Sequence, residues 1–125
     1  ARAGGEYRAQ VKGGSEGKPS QGRMRTGAAG VDTTLKAETL AGGLTYAPGE
    51  KIKLRLQVTG TGTTTIRAKI WKATDAEPAA WLLTATDATA GLQAAGGLGL
   101  VTYLSSSSTN GPMVLSLDDL YVTKP

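Results

Sequence analysis

The sequence predicts an all-β protein, an antiparallel sandwich of short strands, and three observations carry that prediction. Apolar residues recur with a period of two, most cleanly at Ile52, Leu54, Leu56 and Val58. The polar remainder is dominated by Gly, Thr and Ser, with 18 glycines in 125 residues, which suits strands and turns better than helices. No stretch of useful length places apolar residues at helical spacing.

The elements follow in order. Residues 6–12 (EYRAQVK) alternate, with Tyr7, Ala9 and Val11 on one face, and GGSEGKP then breaks the run with Gly and Pro. Residues 20–26 (SQGRMRT) and 31–40 (VDTTLKAETL) are further strand candidates, the second Thr-rich but punctuated by Asp32, Lys36 and Glu38. After a loop AGGLTYAPGE, residues 51–58 place Ile52, Leu54, Leu56 and Val58 inward and Lys51, Lys53, Arg55 and Gln57 outward. Residues 64–71 repeat the pattern, with Ile66, Ala68 and Ile70 inward and Thr65, Arg67, Lys69 and Trp71 outward. The Gly/Thr turn between these two runs makes them a hairpin that sets cations against cations. Like charges opposite one another in a strand pair are destabilising, so the hairpin needs a neutralising acid, such as Glu38 on a neighbouring strand, or a use for its field. Residues 82–86, 98–104 and 113–123 complete the expected strands of a single domain over 1–125.

Composition excludes much chemistry. With no Cys and no His there are no disulfides, no thiolate nucleophiles, no imidazole bases and no ordinary zinc or transition-metal sites. Fourteen basic against ten acidic residues give a net charge of +4, a weak attraction to anionic surfaces that identifies none. No apolar run approaches the roughly 20 residues of a membrane span, and the opening ARAGGEYRAQ lacks the apolar stretch of a signal peptide.

The stretch TTTIRAKIWKATDAEPAAWLLTATDATAGLQAAGGLGLVTYLSSSSTNGPMVLSLDDLYV resembles the C-terminal part of a concanavalin A-like (laminin-G-like) jelly-roll domain. Such domains occur in secreted actinobacterial proteins and in minor tail proteins of actinophages. RAKIW, EPAAW, GLGLVTYLSSSSTN and SLDDLYV are the matching landmarks, and GGEYRAQVK with TTLKAETLAGGLTYAPGE extends the similarity over nearly the whole chain. The resemblance implies an antiparallel jelly-roll-like β-sandwich on an extracellular protein or a virion surface. It also implies that the family's N-terminal strands, which precede the counterpart of GGEYRAQVK, are lacking, so that the chain is either a piece of a larger domain or is completed by another chain or a further copy.

Three groups of residues are candidates for function. The hairpin cations Lys53, Arg55, Arg67 and Lys69, with Lys51 and Lys72, could grip an anionic polymer or form a solvated face. A specific nucleic-acid reader would add stacking aromatics, and only Trp71 is available on that face. Trp71 and Trp81 bracket the loop KATDAEPAA, either as a sugar-stacking platform or as clamps holding the loop against the sheet. Asp118 and Asp119 could ligate a structural Ca²⁺, but neighbours on a strand point to opposite faces, so at most one would be a ligand; otherwise the chain needs no cofactor.

Catalysis is not expected. Glycoside hydrolysis needs two carboxyl groups about 5 to 9.5 Å apart. Asp32 and Glu38, the nearest pair on one candidate strand, are six residues apart at about 3.3 Å each. The sequence therefore points to a non-catalytic binding or adhesion module for glycans or cell surfaces, or else to a structural subunit or spacer, of a phage tail or extracellular filament, assembling through strand edges.

Overall fold

A computed structural model of the chain describes residues 6–12, 19–28, 31–45, 47, 49–100, 102, 106, 109, 111–112 and 114–125. The chain divides into two units, Ala1–Ala94 and Ala95–Pro125.

The first unit holds six strands among its described residues: β1 (Glu6–Lys12), β2 (Pro19–Ala28), β3 (Val31–Thr45), β4 (Ile52–Thr59), β5 (Thr64–Lys72) and β6 (Leu83–Asp87). All pairings are antiparallel and sequential, giving two three-stranded sheets in the orders β1-β2-β3 and β4-β5-β6. A 3₁₀ turn, Ala90–Leu92, follows β6, and no helix among the described residues is long and apolar enough to cross a membrane. The chain is thus all-β and antiparallel, built of meanders.

Alternation explains most of these strands. β1 runs over the residues whose side chains alternate, with Tyr7 and Ala9 packed on the core. β5 lies between β4 and β6, and its inward side chains Ile66, Ala68 and Ile70 are buried. Met24 of β2 and Leu83 of β6 close on Ile66 and Ala68 to form one cluster, and Ala41 and Leu44 of β3 close on Ile70 to form a second. Both sheets contribute to each cluster, so each leans its apolar face on the other. Burying one such aliphatic side chain contributes about 1.5 to 3 kcal/mol, and a core this small leaves little to spare.

β3 is longer than its sequence suggests. The residues 41–45, expected in a loop, continue the strand as far as the Pro19–Thr45 pairing, because Ala41 and Leu44 are the side chains that cover Ile70. Register shifts between β2 and β3, at three points from Pro19 to Arg25, absorb the extra length as bulges. Between β4 and β5 the turn uses Gly60 and Gly62 at φ 111° and 81°, a left-handed backbone that glycine adopts without steric cost.

The second unit departs from expectation. Residues 98–100, 102 and 114–123 form no strand, although 98–104 and 113–123 both read as strands; positions 101, 103–105 and 113 lie outside the described residues. Alternation marks a chain that can enter a sheet, but a strand also needs a neighbour to complete its ladder, and these segments have none among the described residues. Asp119, at φ 53°, further interrupts the extended path of the last segment.

Candidate functional site

The outer face of β5 carries the site. Alternation sends Lys69 and Trp71 to the side opposite Ile70, where sequence reasoning placed them in solvent. Both are buried instead, because residues 73–82 fold back over that face between β5 and β6. Lys69 is the anchor of this loop. Its Nζ donates to the Pro78 carbonyl at 2.7 Å, sits 2.9 Å from Glu77 Oε1, and lies over the Trp81 ring, 4.7 Å from its centroid. An ammonium so enclosed is tolerable because a carboxylate, a carbonyl and an aromatic face replace its water.

The same arrangement resolves the cationic hairpin. In the register, Arg55 faces Lys69, while Lys53 faces Trp71 and Arg67 faces Gln57, so only one cation pair is directly opposed. Glu77 Oε1 bridges that pair, 2.8 Å from Arg55 and 2.9 Å from Lys69. The hydrogen bond from Lys69, followed by the charges of Arg55, Lys69 and Lys53, holds the Glu77 carboxyl below the usual range. Glu50 does the same for Lys72 at 3.3 Å; its own carboxyl is lowered first by the Ala47 amide and then by Lys72. Two neutralising acids, Glu77 and Glu50, therefore come from loops adjoining the hairpin, where the sequence reading looked to a neighbouring strand. The outward row is not a bare field of cations.

Beside residues 69–72 of β5, beyond the span that pairs with β6, the loop borders a cleft of about 560 Å³ that is lined from both faces of the strand. Trp71, Trp81, Ile70, Ala41 and Leu44 supply apolar wall, and Lys72 and Asp75 are the charged groups at its edge beside Lys69. Trp71 is buried and Trp81 half-buried, so Trp81 is the ring with area left to offer. The two tryptophans do clamp the loop, with the Lys69 ammonium within 6.0 Å of the Trp71 ring centre as well. Sequence reasoning found the tryptophans and Lys69 but missed Glu77, Pro78, Ala41 and Leu44. The signal for Glu77 was present: an opposed cation pair demands an acid, and DAEPAAW, the loop that follows the Lys69 strand, holds one.

Of the other candidates, Lys53 is exposed and faces Trp71 in the register, and Arg67 is half-buried, two residues from Lys69 on the same strand. Asp118 and Asp119 belong to the second unit, and no group of three or more metal-ligating side chains occurs among the described residues.

A second polar cluster, unforeseen in the sequence, ties the two sheets together. The Tyr7 hydroxyl of β1 donates to Asp87 Oδ2 of β6 at 2.7 Å and accepts from Gln93 Nε2 at 3.0 Å, while Thr64 of β5 donates to Gln93 Oε1 at 2.7 Å. Thr89 donates to both Asp87 oxygens through its amide and hydroxyl. Burial pushes the Asp87 carboxyl up, but the bonds from Tyr7 and Thr89 outweigh it and leave the group below its ordinary value. Burial, then the bond to Asp87, raises the Tyr7 hydroxyl and keeps it a donor at neutral pH.

No family model matches the chain, and neither a curated protein nor a solved structure matches it.

Proposed function

We propose that the chain is a non-catalytic recognition module that takes a neutral glycan in the cleft that Trp81 lines. The observation that carries this reading is the half-buried Trp81, one ring face backed by the Lys69 ammonium, in the wall of a cleft that Lys72 and Asp75 also line. An aromatic face suits the C–H face of a pyranose, and Lys72, Asp75 and the loop backbone are placed to meet its hydroxyls. Neutrality follows from the charges: Lys69 is engaged by Glu77 and Lys72 by Glu50, so the cleft offers an anionic polymer little net attraction. The resemblance to concanavalin A-like jelly rolls supports the same reading and an extracellular or virion-surface setting.

Titration of intrinsic tryptophan fluorescence with neutral oligosaccharides tests it, followed by a glycan array. Saturable quenching that Trp81→Ala removes and Arg67→Ala leaves intact is the expected result. Binding confined to heparin-like polyanions, or no binding to any arrayed glycan, would overturn the reading.

A second reading, assembly through strand edges, has its own observation. Leu54, Leu56 and Val58 of β4 are exposed, whereas Ile70, Ala68 and Ile66, their partners in register, are buried. The inner face of the second sheet is therefore covered along β5 and open along β4, the condition in which sheets recruit another chain.

A further inference from the structure

The assembly reading leads to a specific partner. We propose that a second copy of this chain covers the open side of β4 with its residues 114–122, added as a further strand; the proposal rests on the assembly reading and names its occupant.

β4 is an edge strand, with β5 as its sole neighbour in the sheet among the described residues. Its free edge has backbone groups to offer, and its apolar row Leu54, Leu56 and Val58 is 47, 37 and 43% exposed. The described C-terminal residues present the converse surface. Leu115, Leu117, Leu120 and Val122 are 62 to 68% exposed, a density of open aliphatic groups that water disfavours.

The two surfaces match in phase. Leu115 and Leu117 fall on one face of an extended segment, with Ser116 and Asp118 on the other. Simple alternation would then send Leu120 and Val122 to the wrong side. Asp119 prevents this, because its left-handed backbone at φ 53° is the conformation of a one-residue bulge, which returns Leu120 and Val122 to the face of Leu115 and Leu117. The single irregularity in this segment thus has a geometric use. Nine residues also suit the eight of β4.

They match in charge as well. When the apolar face of the segment lies against Leu54, Leu56 and Val58, Asp118 falls on the side of β4 that carries the exposed Lys53. Opposite charges on neighbouring strands favour this register and disfavour the inverted one, in which Asp118 would face the apolar row. Each copy owns one donor segment and one β4 edge, so a reciprocal exchange closes as a two-fold dimer and leaves neither surface open.

Sedimentation equilibrium of the full chain, with Leu117→Asp and Leu56→Asp variants, tests the proposal. The wild type is expected to be dimeric at micromolar concentration and each variant to dissociate at least about tenfold more readily, with circular dichroism checking that each variant is folded. Because the chain has no cysteine, a mixture of Leu56→Cys and Leu117→Cys chains supplies a second readout that needs no charge insertion: a short bis-maleimide is expected to link the two different chains. A wild type that stays monomeric at roughly 100 µM overturns both this proposal and the assembly reading. A dimer indifferent to both substitutions and giving no mixed cross-link overturns the proposal alone. Cross-linking within one monomer of the doubly substituted chain also overturns it, since the occupant is then not a second copy.

Discussion

Removing one hydroxyl from the Tyr7 clasp measures how strongly the two sheets depend on it. Tyr7→Phe keeps the ring that packs against the cluster of Met24, Ile66, Ala68 and Leu83 but deletes the donor to Asp87 and the acceptor for Gln93. Gln93 Nε2 has fallback partners in the Asp87 and Thr89 carbonyls at 3.3 and 3.1 Å, so its loss is small. The bond to the Asp87 carboxylate matters more. Hydrogen bonds to charged groups contribute about 1.5 to 3 kcal/mol, and this one is only part-buried, so the low end applies, about 1.5 kcal/mol. For a unit of this size that lowers Tm by about 5 to 10 °C. The pH dependence has a definite sign. Asp87 titrates below its unfolded value of about 3.9, so its stabilisation is complete well above that pH and is lost as pH falls through the lower folded value. Tyr7→Phe removes part of that depression, and the gap between the two proteins should therefore narrow below about pH 4. Urea unfolding from pH 7 to pH 2.5 reads both quantities. A loss under about 0.5 kcal/mol at pH 7, or a gap that does not narrow on acidification, would refute the account of the clasp.

The legible parts of the fold were those that local alternation decides. The span 6–12 became β1 unchanged, and Ile66, Ala68 and Ile70 of β5 are buried as their alternation predicts, whereas Leu54, Leu56 and Val58 of β4, read as inward by the same alternation, are exposed. What sequence spacing did not disclose was coverage. Ile52–Val58 and Ile66–Ile70 have equivalent patterns, yet the first sheet covers only the β5 row and leaves Leu54, Leu56 and Val58 open. Lys69 reads as a solvent residue until residues 73–82 fold over it, and no periodicity announces where a loop will lie. Tyr7 and Asp87 are 80 residues apart, so their meeting depends on how the two meanders stack. The segment SLDDLYV shows the converse limit: its apolar residues qualify it for a sheet, but pairing is a property of two segments, and a local reading supplies one.

Other consequences are open to direct measurement. Glu77→Gln leaves Arg55 opposite Lys69 without the carboxylate that separates them, so retention on heparin should rise and weaken steeply with salt; unchanged retention would show that Glu77 does not screen the hairpin. Calcium should leave Tm unaltered, with and without chelator, and a rise on adding Ca²⁺ would make Asp118 or Asp119 a ligand after all, since an ion that binds only the folded state stabilises it. The turn between β4 and β5 separates two sources of strain that glycine avoids. At Gly62, φ 81° with no neighbour within 4 Å of an added Cβ, alanine meets only the left-handed backbone, about 1 to 2 kcal/mol. At Gly60, φ 111°, the Cβ would also fall 2.2 Å from the Thr63 carbonyl oxygen, a backbone atom that moves only if the turn rebuilds. Gly60→Ala should therefore destabilise clearly more than Gly62→Ala in urea unfolding, and equal costs would mean that the turn relaxes freely and does not fix the register of Arg55 against Lys69.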